Sequence, residues 1–216
     1  MREELIQRVL DKKIVAIVRG VYGEDCVKLA QALYEGGIEL LEVTFDQSKP
    51  EELSRTADSI RRLVERLGDK MIFGAGTVTT LEMFELAKNA GARFIVSPDT
   101  NEEVIRATVA AGMVSMPGAL TPTEIVTAYR AGADFVKLFP AGTQGTAYFK
   151  AVTAPLNHIR LLAVGGVNEK NITDFLAAGA VGVGVGGNLV NKTWIKNGEF
   201  DKITNVAREF VKNAGL

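Results

Sequence analysis

A single cysteine, Cys26, stands in a chain of 216 residues. A disulfide framework is therefore excluded, and a reducing, cytoplasmic setting is expected. Histidine is equally scarce, with His158 alone. Metal sites and Ser–His mechanisms that need two histidines are ruled out, which leaves acid–base work to carboxylates, lysine or tyrosine. Neither sign of charge is in excess: 25 Lys and Arg face 26 Asp and Glu, a net −1, so no basic face argues for nucleic acid. The longest apolar run, from Ala180 onward, is short and broken by glycines, so no membrane span is expected. The first residues, MREELIQR, carry acids where a secretory signal would have an apolar core. What remains is a soluble globular protein.

What the chain does have is a repeating unit: an apolar strand, a polar or glycine turn, a helix and a glycine stop. Strands are expected at 14–20, 40–44, 71–74, 93–97, 113–116, 134–139, 160–164 and 180–185. Helices are expected at 2–12, 24–34, 50–67, 80–89, 102–111, from Thr121 to the stop at Gly132, then at 147–152, 169–178 and 200–213. Thr121-Pro122-Thr123-Glu124 has the capping-box spacing, with proline at the first helical position. Eight such units without a linker point to one α/β domain over 1–216, a (β/α)8 TIM barrel with an extra N-terminal helix. The competing reading is a doubly wound open sheet. Gly74-Ala75-Gly76-Thr77 begins like a dinucleotide fingerprint but lacks the third glycine.

Two residues break the apolar strand pattern. Lys137 lies between Val136 and Leu138, and Glu42 between Leu41 and Val43. A buried lysine needs a partner or loses its charge, and a neutral amine is a nucleophile for a carbonyl. Lys137 is thus either a catalytic amine or a structural lysine, and Glu42 either its proton partner or simply its ion pair. In a barrel the C-terminal strand ends converge on one face. That rule gathers Arg19, Glu42, Thr44, Thr77, Pro98, Lys137 and Phe139 with the glycine turns Gly165-Gly166 and Gly186-Gly187-Asn188. Glycine turns after the last two strands suit a phosphate, because bare backbone N–H groups point at the anion, although glycine also ends strands for steric reasons. His158 precedes its strand and is given a structural role on the opposite face. The chemistry that follows is Schiff-base catalysis, with Arg19 and Thr77 on a substrate carboxylate.

The segments Leu41-Glu42-Val43-Thr44, Gly74-Ala75-Gly76-Thr77-Val78, Ile95-Val96-Ser97-Pro98, Met116-Pro117-Gly118, Lys137-Leu138-Phe139-Pro140 and Gly165-Gly166-Val167 resemble, in order and spacing, the family of 2-keto-3-deoxy-6-phosphogluconate and 4-hydroxy-2-oxoglutarate aldolases. The resemblance implies a metal-free, cofactor-independent class I aldolase, a homotrimer, that releases pyruvate and an aldehyde. It places the Schiff base on Lys137, the general acid/base on Glu42 and the pyruvyl carboxylate contact on Thr77. Three positions depart from the family pattern: Asp46 for an arginine, Val164 for a threonine, and Asn188 for a serine. Val164 also resembles relatives acting on 2-keto-3-deoxy-6-phosphogalactonate. The other readings are a phosphosugar isomerase or epimerase, and a phosphometabolite-binding protein without turnover.

Overall fold

A computed structural model describes residues 2–187 and 189–216. Its strands are β1 Ile14–Val18, β2 Leu40–Thr44, β3 Ile72–Gly76, β4 Phe94–Val96, β5 Val114–Met116, β6 Gly118–Ala119, β7 Val136–Leu138, β8 Leu161–Val164 and β9 Gly182–Val185. The helices are α1 Arg2–Lys12, α2 Gly23–Glu35, α3 Leu53–Leu67, α4 Leu81–Asn89, α5 Glu102–Ala110, α6 Pro122–Arg130, α7 Ala141–Thr153, α8 Ile172–Ala177, α9 Lys192–Lys196 and α10 Phe200–Asn213. The sheet runs β5-β4-β3-β2-β1-β9-β8-β7-β6, and every pairing is parallel. Its two ends, β5 and β6, are separated only by Pro117, so the sheet curls round and nearly closes into a barrel.

Pro117 accounts for the one strand beyond the expected eight. Proline has no N–H for a ladder bond, and the next amide, Gly118, donates instead to the Asp99 carbonyl at 3.1 Å. On the other side Lys137 N donates to the Pro117 carbonyl at 2.8 Å and Phe135 N to Ser115 at 3.2 Å. The expected strand is therefore present but bent. Two other expectations are corrected, and one helix was not foreseen. The segment 50–52 is a 3₁₀ turn before α3. α7 starts at Ala141 rather than near 147, with a kink at Gly145, φ 79°. The short helix α9 carried no sequence signal.

Strand alternation sorts the core into two. Ile14, Ala16 and Val18 of β1, Leu41 and Val43 of β2, and Val136 and Leu138 of β7 face the helices. Val15, Leu40, Phe94, Val114, Phe135 and Leu162 fill the barrel interior, joined by Leu5, Ile6 and Val9 of α1. These inner residues stand at or near strand starts, so α1 stoppers the N-terminal mouth. Each of its three buried side chains is worth roughly 1.5–3 kcal/mol, and the Arg2–Asp134 ion pair at 2.7 Å ties the helix down. Cys26 is fully buried in the outer core. Burial pushes its thiol up to about 12, so it is an inert core group.

The capping box of α6 forms as expected. The Glu124 carboxylate accepts from Thr121 N at 2.7 Å and Leu120 N at 2.9 Å, while Thr121 Oγ1 accepts from Glu124 N. Those backbone bonds hold the Glu124 pKa below its usual value. A depressed carboxylate stabilises the fold above its unfolded pKa and loses that contribution as pH falls through the folded one. Glu124→Ala is expected to cost about 1 kcal/mol at pH 7, and the gap to the wild type should shrink in acid. Chemical denaturation at pH 7 and in the acid range measures both. His158 lies in the turn before β8, against Tyr129 at 5.2 Å between ring centroids, at the N-terminal end of the strands as expected.

Candidate active site

Two residues further along the strands, the inner layer changes character. Above Leu40 comes Glu42, and above Phe135 comes Lys137, while Ile17, Val96, Met116 and Val164 keep the same level apolar. This follows from the period of two: side chains at i and i+2 share a face. A carboxylate and an amine are thus held inside an apolar barrel, 2% and 7% exposed. Burial lowers the Lys137 pKa; the Arg19 charge lowers it further and Glu42 opposes. Burial raises the Glu42 pKa, against the pull of Lys137 and Arg19. Each environment disfavours the charged form, as acid–base and nucleophilic groups require. Among the described residues, neither side chain has an ion-pair partner within 4.0 Å, which separates this arrangement from a plain structural salt bridge.

Glu42 is seated by a missing side chain. A Cβ on Gly76 would lie 1.6 Å from Glu42 Oε1, so only glycine leaves the carboxylate its place. Gly76→Ala is expected to displace Glu42, costing roughly 1–3 kcal/mol of stability from overpacking. Pyruvate-release activity should fall more than the melting temperature explains; both are read on the same preparation.

Above this pair opens a cavity of about 540 Å³. Arg19, Glu42, Thr77, Pro98, Lys137 and Phe139 line it, with Gly165, Gly166, Gly186 and Gly187 at the loops after β8 and β9. The sequence expectation that these strand ends meet is met by the geometry. Arg19 Nη2 donates to Thr77 Oγ1 at 3.4 Å. Thr77 adopts φ 58°, a region that costs a threonine energy, and Gln47 Nε2 pins its carbonyl at 2.8 Å. The Phe139 ring centroid lies 4.9 Å from Lys137 Nζ. Gly165 and Gly166 both have positive φ, 85° and 80°, and Gly142 N donates to the Gly165 carbonyl at 2.7 Å. Glycine is therefore required there by the turn itself.

Thr44 is placed otherwise than expected. It is 1% exposed, its hydroxyl donates to the Val18 carbonyl at 3.2 Å, and it is not among the residues lining the cavity. Asn188 lies outside the described residues. Asp46 does not line the cavity either; it accepts from Ser48 N and Oγ in its own loop. Sequence reasoning missed Ile17, Val167, Asn168 and Gly184 as lining residues. Ile17 was within reach, because alternation puts it on the face of Arg19.

A family model described as "Aldolase: KDPG and KHG aldolase" matches residues 5–206. A 2-dehydro-3-deoxy-6-phosphogalactonate aldolase of Escherichia coli (strain K12) is 36% identical over 177 residues, covering 82% of this chain and 83% of its own. A 2-dehydro-3-deoxy-phosphogluconate aldolase of Treponema pallidum (strain Nichols) is 32% identical over 214 residues, 99% of this chain and 97% of its own. Among solved structures, a KDPG aldolase from Legionella pneumophila, with pyruvate captured as a covalent carbinolamine intermediate, superposes with a TM-score of 0.83. It is 28% identical and covers 94% of this chain and 96% of that one. Family model, relatives and architecture agree: the chain belongs to the KDPG and KHG aldolase family and is a class I aldolase, a lyase.

Proposed function

We propose that the chain cleaves a 2-keto-3-deoxy-6-phospho sugar acid of the phosphogluconate type, or 4-hydroxy-2-oxoglutarate, through a Schiff base on Lys137. The products are pyruvate and an aldehyde, glyceraldehyde 3-phosphate or glyoxylate. The observation that carries this is the buried amine of Lys137 facing one cavity with the buried carboxyl of Glu42. Neutral Lys137 Nζ attacks the C2 carbonyl, whose oxygen takes the proton that the attacking nitrogen gives up, forming the carbinolamine. Protonated Glu42 then helps that hydroxyl leave as water, giving the iminium. The resulting Glu42 carboxylate, directly or through a water, removes the C4 hydroxyl proton. The C3–C4 bond breaks, its electrons pass to the iminium nitrogen, and the aldehyde departs. Glu42 returns the proton to C3 of the enamine, and hydrolysis of the iminium frees pyruvate and Lys137.

Arg19 and Thr77 hold the substrate carboxylate by charge-assisted hydrogen bonds; their 3.4 Å contact supports a shared role. Pro98 and Phe139 wall the reacting carbons. Gly165, Gly166, Gly186, Gly187 and Asn188 make the phosphate cradle. The barrel counts as (β/α)8 when β5 and β6 are taken as one strand broken at Pro117, with α1 as the additional N-terminal helix, all in one domain over 1–216. No cofactor enters the reaction, and the working form is a cytoplasmic homotrimer, a state that light scattering checks.

A second reading concerns stereochemistry at C4. The phosphogalactonate relative at 36% identity, together with Val164 in the cavity wall, favours 2-keto-3-deoxy-6-phosphogalactonate as an alternative substrate. A panel of both phosphorylated C4 epimers and 4-hydroxy-2-oxoglutarate, read as pyruvate release, tests the assignment. Turnover of at least one is expected. A phosphosugar isomerised without C–C cleavage would overturn it.

A further inference from the structure

We propose that Lys192 is a specificity residue for phosphate-terminated substrates, gripping the anionic end opposite the reacting carbonyl. The proposal rests on the aldolase reading above and deepens it. A second cavity of about 250 Å³ shares Ile17, Arg19, Gly186 and Gly187 with the first and adds Val190 and Lys192. Lys137 and Glu42 do not line it. The annex is thus an extension of the substrate space away from the chemistry. Its charged lining is two cations and no carboxylate.

Lys192 is brought there by α9, which it begins. Its ammonium stands over the turn after β1: a Cβ on Gly20 would lie 3.2 Å from Lys192 Nζ. Arg19 is the neighbouring residue in that turn. Among the described residues, no ion pair or hydrogen bond occupies the Lys192 ammonium. Glu42 and Asp46 both act on Arg19 through space, but no carboxylate lines the annex itself. The Lys192 ammonium therefore faces it without a counter-charge of its own and favours an anion there. A phosphate dianion offers three acceptor oxygens, enough for the Lys192 ammonium and backbone N–H groups together, while Arg19 stays with the substrate carboxylate.

The glycines of this annex point the same way. Gly165 and Gly166 need positive φ, so their identity has a folding reason. Gly186 and Gly187 do not share it. Neither has positive φ; a Cβ on Gly186 would meet its nearest atom at 3.7 Å, and one on Gly187 would meet nothing within 4 Å. The fold tolerates a side chain at both positions. What the missing side chains leave open is backbone facing Arg19 and Lys192, with room for a tetrahedral group.

Three measurements on Lys192→Met and Lys192→Arg test this. In Lys192→Met, the KM ratio between the phosphorylated substrate and 4-hydroxy-2-oxoglutarate is expected to rise about tenfold, from one lost charge-assisted contact. The kcat for the phosphorylated substrate should stay within about twofold, because the contact is held equally in ground and transition states. Lys192→Arg should recover most of the loss. The third measurement needs no turnover: the affinity for inorganic phosphate, read by calorimetry, should weaken about tenfold in Lys192→Met. An unchanged KM ratio together with unchanged phosphate affinity would overturn the assignment. Trapping of pyruvate on wild-type Lys137 is the separate control. If trapping fails while phosphate affinity still depends on Lys192, the aldolase reading falls and the anion site stands. If trapping succeeds while the KM ratio and phosphate affinity both ignore Lys192, the reverse holds.

Discussion

Lys137→Met loses pyruvate release by about 10⁴-fold or more, the scale expected when a covalent nucleophile is removed. The fold survives this change and gains from it. Methionine has a similar length and no charge to desolvate. In the wild type, burial depresses the lysine pKa, so the sign of the linkage is set. Above the ordinary lysine pKa, folded and unfolded chains are both neutral at this position. As pH falls below it, the unfolded chain takes up a proton that the folded chain resists, and the native state loses stability. Methionine removes that penalty, and the melting temperature at pH 7 rises or holds. A stable, inactive Lys137→Met separates a catalytic amine from a structural one, whose removal would unfold the barrel. Activity and thermal denaturation of one sample decide the matter.

Glu42→Gln is the second large effect, about 10²–10⁴-fold in kcat, the usual contribution of general acid–base catalysis. Glutamine keeps the shape that Gly76 accommodates, so a loss of this size reports proton transfer rather than packing. A pH profile adds a readout that a structural role would leave still. Glu42 raises the Lys137 pKa and Arg19 lowers it. The acid limb of iminium formation therefore moves to lower pH in Glu42→Gln. It moves to higher pH in Arg19→Met, which also raises KM for the substrate carboxylate. Opposite displacements from two neighbours identify Lys137 as the group that titrates.

Lys137 and Glu42 were legible in the sequence for one reason: each is a charged residue in the middle of a strand otherwise buried on both faces. Arg19 and Thr77 were legible only through the barrel rule that gathers strand ends. Thr44 shows the limit of that rule. Alternation puts it on the same face as Glu42, yet its short hydroxyl is satisfied by the Val18 carbonyl and never reaches the cavity. The bend at Pro117 was visible as a proline, but not that the chain resumes pairing one residue later as β6. α7 began early because the glycines at 142 and 145 masked its first turn. Lys192 had no local signal at all. Its place beside Arg19 depends on how a five-residue helix folds back over the turn after β1, which no periodicity encodes.

The central claim is that Lys137 forms the Schiff base, and reductive trapping tests it most directly. The protein is incubated with pyruvate and borohydride near neutral pH, digested and mapped by mass spectrometry. The lowered pKa of Lys137 predicts a reduced pyruvyl group on that lysine alone, abolished in Lys137→Met. No adduct, or an adduct on any other lysine, would contradict the account.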